Sequence, residues 1–216
     1  MASIAVIGAG FVGLTTGIHL AECGHHVIVS EIDQDKLRKL RQGIVPFKED
    51  LLETQLRKLP TLHFTDDNVA AISERDVIFL CLPTPSLDSG AADISILEAV
   101  IDEIREYVQP NAVVIIKSTV PVGTTRRLAA KLNRPDCSMA SNPEFLREGQ
   151  ALYDSRNPER LVIGCTNPLI VNQIREIFGN PACPIVMTDF ETAELIKYVS
   201  NSYLCLLYTS DAADDT

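Results

Sequence analysis

The stretch Ser3-Ile4-Ala5-Val6-Ile7-Gly8-Ala9-Gly10-Phe11-Val12-Gly13 decides the fold. A short apolar strand runs into G-x-G-x-x-G, and a helical pattern over residues 11–23 follows, closed by Gly24 at a helix stop position. Strand, glycine turn and helix in that order are the context in which this motif seats a dinucleotide pyrophosphate. Gly8 allows the tight turn, Gly10 lets the pyrophosphate approach the backbone, and Gly13 lets the helix pack closely on the strand. The helix start at Phe11 and Val12 offers free N–H groups and a positive dipole end. A second strand at 26–30 leads into Glu31. An acid there accepts hydrogen bonds from a ribose diol and repels a 2'-phosphate, which favours NAD over NADP.

Outward from this unit, apolar runs alternate with helical patterns. Helices are expected at 35–41, 51–58, 94–108, 124–132 and 169–178, and from Phe190 onward. Strands are expected at 62–65, 76–82, 113–116, 137–140, 161–164 and 185–187. The run Val77-Ile78-Phe79-Leu80-Cys81-Leu82 is almost wholly apolar, as in a parallel strand buried on both faces. The alternation predicts an α/β fold, a doubly wound parallel sheet of Rossmann type with helices on both faces.

The bulk numbers narrow the partners. The 216 residues are 46% hydrophobic and carry a formal net charge of -10, so a sizeable core is affordable and a nucleic-acid or anionic-membrane partner is disfavoured. No apolar run reaches the roughly 18 residues of a membrane span, and no secretory signal is visible. Six cysteines without a CxxC pair, and four scattered histidines, read as reduced thiols in a cytoplasmic protein with no metal site.

Three loops following strands, and one helix, carry candidate chemistry. Leu82-Pro83-Thr84-Pro85 is stiff and offers one hydroxyl. Lys117-Ser118-Thr119-Val120-Pro121-Val122-Gly123-Thr124 offers hydroxyls for a sugar or a bound water, and Thr124 can cap the next helix. Asn142-Pro143-Glu144-Phe145-Leu146-Arg147-Glu148-Gly149 places two acids four residues apart; one helical turn would put them on one face. An acid in a partly dry pocket suits general-base work. In the last helix Lys197 and Asn201 share a face and could stabilise an oxyanion or hold a water, although Glu194 and Lys197 also form a plain i, i+3 pair.

In this order, the Leu-Pro-Thr-Pro, Ser-Thr-Val-Pro-Val-Gly, Asn-Pro-Glu-Phe-Leu-Arg-Glu-Gly and Glu-Leu-Ile-Lys-Tyr segments resemble the UDP-glucose/GDP-mannose dehydrogenase family over residues 3–204. The resemblance implies an NAD-binding domain at 1–189 and the start of a central linking helix at 190–204. It implies oxidation of the C6 hydroxyl of a UDP-sugar to a carboxylate in two hydride transfers, with UDP-glucose ahead of GDP-mannose. It implies a homo-oligomer built through the central helix. Glu144 would be the acid/base residue acting through water, Glu148 its neighbour close to the cofactor, and Thr119 the residue holding the water. Lys197 and Asn201 would stabilise oxyanion character at C6, and Phe145 and Leu146 would present backbone groups to the substrate. Gly8, Gly10, Phe11, Val12, Gly13, Glu31, Lys36, Thr84, Thr119 and Glu148 would surround NAD. Arg160 falls in a matching segment without a role.

The chain departs from the family pattern in three places. Glu31 stands where Asp is usual, and Val45-Pro46-Phe47-Lys48-Glu49-Asp50-Leu51 lacks the usual Glu-Pro-Gly run. Residues 205–216 resemble a translated sequencing adapter, so they are expected to be foreign and the C-terminal domain that carries the family's cysteine nucleophile to be absent. On that expectation the chain alone does not complete the reaction. A stand-alone NAD-sensing module is the rival from another class, but it has no need of the acid pair or of Lys197.

Overall fold

The computed structural model of the chain describes residues 1–209. Among them eight strands form one sheet: β1 (Ser3–Ile7), β2 (His26–Ser30), β3 (Leu62–Thr65), β4 (Val77–Leu80), β5 (Val113–Ile116), β6 (Ser138–Ser141), β7 (Leu161–Cys165) and β8 (Ile185–Thr188). Their order is β3-β2-β1-β4-β5-β6-β7-β8. The chain starts at β1, winds outward to β3, crosses back to β4 and winds the other way. That reversal opens a crevice beyond the carboxyl ends of β1 and β4, where doubly wound sheets bind their ligands.

Alternation along the strands divides the core between the two faces. Ile4 and Val6 of β1 face Leu14 and Ile18 of α1 (Phe11–Glu22), with Val113 and Ile115 of β5 in the same cluster. Ala5 and Ile7 face the other way, toward Leu97 and Ile101 of α5 (Ser95–Ile104) and Leu128 of α6 (Thr124–Leu132). Every residue of β4 and β5 is buried, as their continuous apolar sequences require. The outer layer is completed by α2 (Gln34–Arg41), α3 (Leu52–Leu56), α4 (Asn68–Ile72), α7 (Ala151–Arg156) and α8 (Leu169–Ile177). The sequence pattern showed no sign of α7 or of α4, a single turn in which Asp67 caps the Ala70 N–H.

One part of the topology differs from a fully parallel sheet. β7 pairs antiparallel with β6, and β8 runs parallel to β7. The cause is the connection after β6. Residues 142–160 hold only irregular chain and the six-residue α7, with no crossover helix long enough to carry the chain back across the sheet. The chain therefore re-enters from the carboxyl edge. The last helix, α9 (Phe190–Thr209), then returns past β7 to that same edge and brings Lys197 with it. α9 continues beyond Leu204 to Thr209, so the expected foreign tail begins inside the helix; its residues 210–216 lie outside the described residues.

Candidate active site

The glycine turn is built as a cradle. Gly8 has φ +99°, and a Cβ there would meet the Cys81 carbonyl oxygen at 2.6 Å. A Cβ on Gly13 would collide with the Gly8 carbonyl oxygen, so only glycine lets α1 pack this close. Gly10 is different: no atom lies within 4 Å of where its Cβ would be. Gly10 is the N-cap of α1, and no side chain bonds to the helix start at Phe11 and Val12. Open space at Gly10 and uncapped N–H groups beside it fit a pyrophosphate.

Glu31 sits at the carboxyl end of β2, only 8% exposed, its N–H bonded to Thr65 O at 2.9 Å. Its Oε1 accepts from the Asp33 N–H at 3.0 Å, which fixes the carboxylate beside the crevice. Lys36 is exposed in the first turn of α2, where Asp33 caps its N–H. Across the switch point, Thr84 donates its hydroxyl proton to the Thr119 carbonyl oxygen at 2.8 Å, tying the two loops together. These residues fit a dinucleotide with a free ribose diol.

The second half of the site is a cavity of about 670 Å³ between the 142–147 turn, the start of β7 and α9. Glu144 points into it. Its Oε1 accepts from Lys197 Nζ at 2.9 Å and its Oε2 from the Leu146 N–H at 2.7 Å. Lys197 and Asn201, one turn apart on α9, both line the cavity, as do Phe145 and Leu146. The structure thus brings Glu144, Lys197 and Asn201 together from segments far apart in sequence. It does not pair the two acids. Residues 142–147 are irregular rather than helical: Asn142 is bonded to Val162 of β7, and the Glu144 carboxylate turns onto the Leu146 N–H two residues on. Glu148 is consequently exposed and outside the cavity lining.

Comparison with known proteins agrees with this geometry. Residues 2–181 match the family model for the NAD binding domain of the UDP-glucose/GDP-mannose dehydrogenase family. The chain belongs to this family. It is 40% identical over 213 residues to UDP-glucose 6-dehydrogenase YwqF of Bacillus subtilis, covering 94% of this chain and 48% of that protein. Among solved structures, a UDP-glucose dehydrogenase from Pyrobaculum islandicum aligns with a TM-score of 0.89 at 33% identity, over 95% of this chain and 50% of the other. The GDP-mannose dehydrogenase of Pseudomonas aeruginosa, solved as a ternary complex, aligns equally well at 30% identity, over 96% and 51% of the two chains. The chain spans about half the length of the relatives it matches. The cofactor of the domain is NAD.

Several residues of this family member's site carry no local signal in the sequence. Lys117 is buried, donates from Nζ to Asn142 Oδ1 at 3.1 Å and lies over the Phe178 ring; burial pushes its ammonium down from the usual lysine range. Asn142 in turn donates from Nδ2 to Val162 O at 2.8 Å, locking the acid turn to β7. Glu49, also buried, accepts from the Gly149 and Ala151 N–H groups, both at 2.8 Å. It lies in the loop that lacks the Glu-Pro-Gly run, and two residues on Leu51 holds the left-handed conformation that glycine favours, φ 66°.

Two expected local interactions are replaced by distant ones. Glu194 pairs not with Lys197 but with the start of α6, accepting from the Gly123 and Thr125 N–H groups at 2.6 Å each. It takes the capping place expected of Thr124, which is instead the first residue of the helix. Lys197 is thereby left for Glu144. Only the fold brings these partners together, so a reading of neighbouring residues misses them.

Proposed function

We propose that the chain is the cofactor-binding part of an NAD-dependent dehydrogenase that oxidises the C6 hydroxyl of UDP-glucose to the carboxylate of UDP-glucuronate. The observation that carries the proposal is the Glu144–Lys197 pair, 2.9 Å apart in a cavity shared with Asn201. Bound NAD supplies the hydride acceptor. The whole oxidation takes one alcohol, two NAD and one water to one carboxylate, two NADH and three protons. Lys197 has three N–H donors and gives one to Glu144, so it can also hold the C6 oxygen and stabilise it as negative charge develops. Glu144 accepts the C6 proton through a water, and the holding of that water is assigned to Thr119. Asn201 supplies a second polar contact to the same oxygen. Glu31 favours NAD over NADP, and Thr84 and Thr119, tied together across the switch point, are assigned to the cofactor.

The aldehyde stage needs a thiol in this chemistry, and among the described residues no cysteine lines the cavity. Cys81, nearest the glycine turn, is inert, because burial pushes its thiol up to about 12. We therefore assign this chain the hydride and proton steps and not the thioester step. The GDP-mannose dehydrogenase likeness keeps GDP-mannose as the second substrate reading. Six free cysteines suit a reducing cytoplasm. Exposed Leu195, Val199, Tyr203 and Leu206 on α9 suit burial against a second copy of the chain.

The test is the hydride step run backwards, which needs no thiol. UDP-glucose carrying an aldehyde at C6 is supplied with NADH, and NADH loss is followed. Wild-type chain is expected to consume NADH, with Glu144→Gln and Lys197→Met at least about 100-fold slower at unchanged NAD affinity. Variants as fast as wild type would remove both residues from the chemistry.

A further inference from the structure

We propose that Arg160 binds the diphosphate of the nucleotide sugar; the assignment rests on the functional reading above. Four cations line the cavity: Lys117, Arg147, Arg160 and Lys197. Lys197 is paired with Glu144, and Arg147 with Asp154 at 2.6 Å. Lys117 is buried and bonded to Asn142. Arg160 is the half-buried cation that, among the described residues, has no carboxylate within ion-pair distance. Glu159 also lines the cavity but makes no ion pair with it. In a chain with 29 acids and 19 lysines and arginines, an unpaired arginine inside the largest described cavity points to an anionic ligand.

The guanidinium is held ready for one. It stacks on the Phe145 ring, 4.4 Å from the centroid, and Nη2 donates to Ser200 Oγ at 3.2 Å. Its orientation is thus set by the acid turn on one side and α9 on the other. Nε and Nη1 keep their N–H groups for a ligand, in the planar fork that suits phosphate oxygens. Lys197 Nζ lies 5.3 Å from the centroid of the same Phe145 ring. Lys197 and Arg160 are therefore grouped around one aromatic side chain. In a nucleotide sugar the diphosphate is joined at C1, which the ring oxygen bridges to C5, the carbon that carries C6. A substrate with its C6 oxygen at Lys197 can lie along Phe145 with its diphosphate toward Arg160.

The alternative is that Arg160 only braces Phe145 against α9. The two roles separate in a titration of the NAD-saturated chain, where the glycine turn is already filled, with UDP-glucose, inorganic pyrophosphate and methyl glucoside. Wild type is expected to bind UDP-glucose and pyrophosphate in competition, more weakly as salt rises. Arg160→Met is expected to lose roughly 10- to 100-fold in affinity for both, with methyl glucoside and NAD unaffected. Arg160→Lys should recover part of the loss. If Arg160→Met fails to fold, the Arg160 Nε–H resonance of wild type is the second readout, and it should shift on adding pyrophosphate. Wild-type affinity in Arg160→Met, an unmoved Nε–H resonance, or an NAD-loaded chain that binds neither UDP-glucose nor pyrophosphate would overturn the assignment. A wild-type chain that does not bind NAD would overturn the functional reading and this assignment with it.

Discussion

Lys197 of α9 and Glu144 of the turn after β6 form an ion pair of 2.9 Å whose side chains are 6% and 14% exposed. So little exposure makes each charge dependent on the other. Removing one partner by Lys197→Met or Glu144→Gln should cost about 3 kcal/mol, because the survivor is left buried and unpaired. The double variant should cost less than the sum of the two. Urea denaturation of the four proteins checks this, and additive losses would mean that the pair is not coupled.

The three glycines of the turn should behave differently from one another. Gly10→Ala has room for its methyl and should leave the thermal midpoint unchanged while weakening NAD at least about tenfold, since the methyl enters the space the pyrophosphate needs. Gly13→Ala should lose stability outright, because its Cβ collides with the Gly8 carbonyl oxygen. Calorimetry paired with a melting curve separates the two effects. A destabilised Gly10→Ala would show that the space there is not free.

Leu51 is 58% exposed and holds φ 66° at the start of α3. Leu51→Gly should relieve left-handed strain with little packing lost and raise stability by about 0.5–1 kcal/mol. A lower urea midpoint for Leu51→Gly would mean that the Leu51 side chain contributes more than its exposure suggests.

His19 is buried against Phe178, and burial pushes its imidazole down to about 4. In the unfolded chain it titrates near 6.5, so between those values the unfolded state binds more protons than the native state. Stability from this group is therefore present above 6.5 and lost as the pH falls toward 4, by roughly 3 kcal/mol in all. His19→Leu should flatten that part of the urea-midpoint profile, and an unchanged slope would assign the loss to other groups.

Legibility in the sequence followed the range of the interactions. The glycine turn, Glu31, and the period of the strands and longer helices depend on neighbouring residues, and the structure has them within a few residues of where the pattern puts them, while the short α4 and α7 hold too few residues to show a period. The antiparallel β7 was hidden, because its direction depends on how little helix separates it from β6. Glu144 and Lys197 were each visible, but the nearer Glu194 offered a local partner that the fold spends on α6 instead. Glu49, Lys117 and Arg160 form hydrogen bonds with residues 25 to 102 positions away, so nothing beside them in sequence marks those bonds.

The central reading is an NAD site formed by the Gly8–Gly13 turn and Glu31, and the most direct measurement is calorimetric titration of the chain with NAD and with NADP. NAD should bind at least about tenfold more tightly, because Glu31 accepts from a ribose diol and repels a 2'-phosphate. Equal or reversed affinities, or no binding of either, would contradict it.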